Sequence, residues 1–151
     1  MLDLSKVKSD PKALIDYLDK AEDEYEKGKS KLRVSGELQK EASEHPAWLG
    51  RLDEIRAELK ALKNYYRGKA DRTRGTLYRE YLEQYSRALG KQDIEQYINS
   101  DKRWQKEDDL AQEIELLYNK FENLVEAFKS KGWAISHIVK LRVAGLEDAL
   151  I

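Results

Sequence analysis

The feature that most constrains this chain is a run of apolar residues at alternating spacings of four and three: Trp48, Leu52, Ile55, Leu59, Leu62 and Tyr66. An α-helix turns once in about 3.6 residues. The spacing therefore puts these side chains on one stripe and predicts a helix packed lengthwise on another, as in a coiled coil or bundle. A second seam runs through Ala111, Ile114, Tyr118, Phe121, Val125 and Phe128, widened by Leu110, Leu117 and Leu124. No segment alternates with period two, no Asn-Gly hairpin occurs, and no fixed-period repeat is visible. The expected fold class is all-α: elongated helices in a bundle or coiled-coil-like protomer.

Punctuation residues set the expected boundaries. Asp10-Pro11 reads as N-cap and first helical residue, opening a helix over about 11–27 on Leu14, Tyr17, Leu18, Ala21 and Tyr25. Gly28 and Gly36 weaken a further helical stretch to about 44. His45-Pro46 reads as a break, because the residue before proline avoids the α region. The seam helix follows, and 67–75, with Gly68 and Gly75, reads as a basic loop. A third helix is expected over about 76–89, carrying Tyr78, Tyr81, Leu82, Tyr85 and Leu89 on one face and stopped by Gly90. A short turn around Ile94, Tyr97 and Ile98 leads to the longest helix, about 101–131, capped by Ser100-Asp101 and ended by Gly132. A last segment, about 133–150, shows Ile135, Ile138, Val139, Arg142 and Leu146 along one side.

Composition excludes much chemistry. There is no cysteine, hence no disulfide scaffold, thiol nucleophile or thiolate metal site; that suits a reducing cytoplasm. His45 and His137 stand alone, so a metal site is not expected. Neither G-x-x-x-x-G-K-[ST] nor G-x-G-x-x-G occurs. The acids form clusters such as Glu22-Asp23-Glu24 and Glu107-Asp108-Asp109, which read as surface. No enzyme, cofactor or metal is expected. No apolar run of membrane-spanning length is present, nor the apolar core of a signal peptide. Charged residues make up 38% of the 151 and apolar ones 40%. A protomer this polar has a thin core, which favours long helices or self-assembly.

The near-zero net charge conceals an asymmetry. Residues 60–79 hold Lys60, Lys63, Arg67, Lys69, Arg72, Arg74 and Arg79 against Asp71 as the sole acid. Arg56, Lys60, Lys63 and Arg67 each follow a seam residue by one position, so a basic stripe lies beside the apolar one and runs into Lys69, Arg72 and Arg74. Such a track can neutralise successive phosphates and release their counterions. Tyrosines interleave with it. Bases of single strands stack on exposed aromatic rings, whereas a duplex offers no free base face. Tyr66, Tyr78, Tyr81 and Tyr85 hold seam positions and read as core or interface. Tyr65 lies off the seam and is the stacking candidate. The expected single-stranded-DNA contact is Arg56, Lys60, Lys63, Tyr65, Arg67, Lys69, Arg72 and Arg74. The competing reading is a solvated helix face on a structural or scaffolding protein with no role at DNA.

Two blocks carry a resemblance. Leu59-Lys60-Ala61-Leu62-Lys63-Asn64-Tyr65-Tyr66, followed by Gly68-Lys69, and Lys129-Ser130-Lys131-Gly132-Trp133-Ala134-Ile135-Ser136-His137-Ile138 are similar to the UvsY family of phage recombination mediators. That family shows Leu-Lys-Ala-Arg shortly before Tyr-Tyr, then a glycine-containing basic loop. Later it shows Lys-Ser-(Lys/Arg)-Gly-aromatic-Ala-Ile-x-His-Ile. The resemblance covers roughly residues 50–145, and the second block is the more specific. Lys60 matches the family's lysine; its arginine position holds Leu62, with Lys63 next along.

The resemblance implies a non-enzymatic helical protein that forms a ring-like homo-oligomer and binds single-stranded DNA. It would help load a strand-exchange recombinase in competition with a single-strand-binding protein, in the host cytoplasm. It also maps Gly132, Trp133, Ile135, His137 and Ile138 onto a segment used for assembly. The expected division is a helical domain over 1–131, with the DNA stripe at about 56–79, and an amphipathic assembly helix over 132–151. The expected assembly residues are Trp133, Ile135, Ile138, Val139, Arg142 and Leu146.

Overall fold

The computed structural model describes residues 2–84 and 90–145, which are mostly helical, with a non-helical connection over 31–37, and contain no strand. The helices are α1 (Leu4–Ser9), α2 (Pro11–Ser30), α3 (Leu38–Gln84), α4 (Lys91–Asn99) and α5 (Lys102–Val143). The chain divides into two compact units: Met1–Glu58 with Asn119–Ile151, and Leu59–Tyr118. The helices α3 and α5 contribute residues to both.

In the first unit, carboxylates start the helices. Asp3 accepts from the Lys6 amide at 3.2 Å and Asp10 from the Lys12 amide at 3.0 Å, with Pro11 at the helix start. The core collects Val7, Leu14, Ala21, Leu52, Phe121, Leu124, Val125, Phe128 and Ile135. Gly28 is buried inside α2, where a Cβ would stand 3.0 Å from both Leu52 and Leu124 methyl carbons. Its missing side chain permits that close approach. The Tyr17 hydroxyl donates to Glu58 at 2.8 Å; burial first, and then the Glu58 carboxylate, raise its pKa.

The second unit is built on Leu59, Leu62, Tyr66, Ala70 and Leu77 of α3, Ile94 and Ile98 of α4, and Ala111, Ile114, Leu117 and Tyr118 of α5. Tyr78, Tyr81 and Trp104 pack partly buried against Leu77, Ile94 and Ile98. Asp101 accepts from the Arg103 amide at 2.9 Å at the start of α5 and from the Tyr81 hydroxyl at 2.9 Å. The Arg103 guanidinium holds this carboxyl well below the usual range.

Three expected breaks are absent. Pro46 lies inside α3. An interior proline costs about 3 kcal/mol through its missing N–H and ring clash, but the turns around it are packed: the His45 ring stacks on Phe128, with centroids 5.8 Å apart. Residues 67–75 are helix, not loop, so the separate helix expected from 76 is the continuation of α3. Each glycine there costs only about 1 kcal/mol, and Ala70 and Leu77 carry the buried seam onward. Gly132 does not end the long helix, because α5 continues to Val143. Gly90 lies outside helix, as expected, and is the N-cap of α4, at φ −70°. The expected turn around Ile94 and Ile98 is that helix. The stop of α5 comes at Gly145, whose φ of +70° suits glycine. Tyr85, Leu89 and Leu146 lie outside the described residues.

Candidate nucleic-acid interface

Because α3 is continuous, its cations can be placed by angle. The line Leu59, Leu62, Tyr66, Ala70 and Leu77 faces the core of the second unit. At about 100° per residue, Lys63, Arg67 and Arg74 fall roughly 40–80° to one side of it. Tyr65, Lys69, Arg72 and Arg79 fall roughly 80–160° to the other side, and Lys60 points outward at about 100° on the first. The cations therefore form two groups on opposite flanks of the seam rather than one stripe.

The first group is held. Arg67 Nη1 lies 2.7 Å from Asp108 Oδ1, with Glu115 at 3.9 Å; its pKa is raised by the hydrogen bond to Asp108, against a lowering from burial. Lys63 Nζ sits 4.4 Å from the Tyr118 ring centroid. Arg74 donates to Asn99 Oδ1 at 3.0 Å and lies over the Trp104 ring at 4.9 Å. Thr73, on the other side of the seam line, donates to Glu107. The acids that engage Arg67 come from α5, about 40–50 residues away in sequence. The scarcity of acids between 60 and 79 could not disclose them. Arg56, in the first unit, pairs with Asp53 at 2.8 Å.

The second group is open. Lys69, Arg72 and Arg79 are exposed, as is Lys60 on the first side. Lys60, Arg72 and Arg79 make no hydrogen bond or ion pair with the described residues. Lys69 Nζ lies 6.0 Å from the Tyr66 ring. Tyr65 is half-buried, its ring edge-on to that of Tyr66 at 4.9 Å. Tyr66 is buried, as its seam position required. Arg79 carried no assignment beyond the local charge count; only a continuous helix puts it on the same side as Lys69 and Arg72.

The proposed assembly residues divide as well. Ile135 is buried within the first unit and Ile138 is half-buried. Val139, Trp133 and Val143 are 40%, 79% and 85% exposed. Arg142 is exposed, and Leu146 lies outside the described residues. Lys131, in contrast, is buried: its ammonium pairs with Glu41 at 2.6 Å and donates to the Lys31 carbonyl at 2.5 Å. A cation there also suits the negative end of α2. His45 is half-buried, and its Nδ1 has no hydrogen-bond partner among the described residues. Burial first, and then Lys131, lower its pKa, while Glu41 opposes them. Among the described residues no His, Asp and Glu cluster could hold a metal ion, and no helix is long and apolar enough to cross a membrane.

No family profile and no curated protein sequence matches the chain. Its fold is that of a solved structure, the bacteriophage T4 recombination mediator protein UvsY. The match has a TM-score of 0.71 at 21% identity and covers 83% of this chain and 98% of the other. The fold implied by the two sequence blocks is thus the fold observed.

Proposed function

We propose that this chain is a non-enzymatic recombination mediator. As an oligomer it binds single-stranded DNA and helps load a strand-exchange recombinase against a competing single-strand-binding protein. The observation that carries the reading is the open basic flank of α3, Lys69, Arg72 and Arg79 with Tyr65, on a chain with the fold of a recombination mediator. A row of exposed cations at helical spacing suits a phosphate backbone, and a tyrosine beside it suits unpaired bases. The flank containing Lys63, Arg67 and Arg74 is engaged by α4 and α5 and serves the fold first. Lys60 stands exposed beside it.

The oligomer is assigned to the C-terminal part of α5. Val139 and Val143 are exposed apolar side chains, close to Ile138 and Arg142 on the helix surface. Burying them against a neighbouring copy recovers apolar area that the protomer leaves in water. Repetition of the basic flank around a closed ring adds avidity for a long strand.

The test is the binding of labelled oligothymidylate by the full chain across a salt series. For single strands, log K should fall with log salt by about 0.7 for each phosphate neutralised. Lys69→Ala with Arg72→Ala and Arg79→Ala should flatten that slope and weaken binding. Unchanged slope and affinity would reject α3 as the DNA contact, and an absence of wild-type binding would reject the function.

A further inference from the structure

A second basic segment lies in α5. Between Glu126 and Glu147 the sequence has no acid but four cations, Lys129, Lys131, Lys140 and Arg142. Lys131 is consumed by its pairing with Glu41. The helix turns the others to different sides. Ile135, with Phe128 and Leu124, marks the buried line. Trp133 stands about 160° from Ile135, and Lys129, Ser136, His137 and Lys140 lie within about 60° of Trp133. All five are exposed, and Trp133, Ala134, Ser136, His137 and Lys140 line one surface hollow. The apolar Val139, 40% exposed, lies about 120° from the indole, on the flank toward Ile135.

This face is unlike the centre of a protein interface, which is depleted in charge and surrounds its aromatic anchor with apolar neighbours. Here an indole that is 79% exposed has only polar, cationic and small side chains about it. The nearest acid on the helix, Glu126, makes an exposed pair with Lys129 at 3.0 Å; such a pair is weak and can be exchanged for a phosphate. A flat ring beside cations, with no acid for the next three turns, complements a flexible polyanion that carries exposed rings of its own.

We propose that the outward face of α5, Trp133 with Ser136, His137 and Lys140, is a second contact for single-stranded nucleic acid, in which a base stacks on the indole and Lys140 meets the adjacent phosphate. The proposal rests on the reading that the chain binds single strands. It assigns Trp133 to the ligand, not to subunit assembly, and leaves assembly to the Val139 side.

Three measurements on the full-length chain test it: anisotropy of labelled oligothymidylate, quenching of intrinsic tryptophan emission by unlabelled oligothymidylate, and sedimentation. Trp133→Ala should weaken binding about tenfold with unchanged mass, and Trp133→Phe should restore part of the loss. Quenching seen with the wild type should largely disappear in Trp133→Phe, whose remaining indoles are Trp48 and Trp104. Lys140→Ala should lower the salt slope. Wild-type binding with unaltered affinity in Trp133→Ala and quenching retained in Trp133→Phe would overturn this site and leave the function standing. Loss of affinity together with a fall in mass would make the face a protein interface and also overturn it. Failure of the wild type to bind would remove both.

Discussion

The imidazole of His45 occupies the space a side chain at residue 132 would need: a Cβ on Gly132 would stand 2.9 Å from His45 Nε2. Here α3 and α5 come together closely enough that glycine is the residue that fits, which explains a glycine in the middle of a long helix.

Gly132→Ala should therefore destabilise the protein by about 1–3 kcal/mol, as overpacking does, although alanine is the better helix former by about 1 kcal/mol. Gly75, where a Cβ would meet nothing within 4 Å, is the control. Gly75→Ala should be neutral or stabilising by up to about 1 kcal/mol. Urea midpoints of both variants and of His45→Ala with Gly132→Ala check this. The double variant should recover part of the loss. Equal stabilisation by both alanines would contradict the close approach.

Stability should fall on mild acidification. Burial and Lys131 depress the His45 pKa in the folded state, so the unfolded chain binds the proton more readily. The contribution is present above the unfolded value of about 6.5 and is lost as pH falls below it, through the folded value. In the imidazolium both ring nitrogens are donors, and Nδ1 has no acceptor among the described residues. The thermal midpoint should drop between pH 7.5 and 5.5, and His45→Gln should flatten the drop. In proton NMR the His45 ring signal should titrate below 6.5. A ring that titrates at or above that value would show the site to be open to water.

Adjacent tyrosines should behave differently. Tyr66 is buried with Leu62 and Ala70 in the second unit, and Tyr66→Ala should cost about 3–5 kcal/mol, as for other large buried rings. Tyr65→Ala should cost much less stability but lose single-strand affinity by about 1–3 kcal/mol, with little change for duplex. Paired melting and anisotropy measurements check both. Equal losses of single-strand and duplex affinity in Tyr65→Ala would rule out stacking.

Assembly should depend on the exposed valines of α5. Val139→Glu with Val143→Glu should leave the helical circular dichroism unchanged and lower the sedimenting mass, since neither side chain belongs to the buried core. A variant that sediments like the wild type would place the subunit contact elsewhere.

Much of this protein was legible in its linear pattern because the relevant physics is local. Spacing of apolar residues determines which face of a helix leaves water, so the all-α class and both seams could be read directly; Leu52, Leu59, Leu62, Ile114, Phe121 and Phe128 are core for that reason. The cap at Asp10-Pro11 was equally plain, since a carboxylate and a proline act within one turn. Local charge density likewise marked residues 60–79 as unusual.

Other features were decided only in three dimensions. Pro46, Gly68, Gly75 and Gly132 each carry a local cost of about 1–3 kcal/mol against helix. Contacts distant in sequence outweigh it: His45 with Phe128, Arg67 with Asp108, Thr73 with Glu107. A pattern read along the chain contains the cost and not the compensation. The same holds for charge. Lysines and arginines alike in sequence become two groups, one held by acids and rings of α5 and an amide of α4, the other left facing water. Which cation belongs to which group depends on unbroken helix through 67–75 and on the partner that lies across from it.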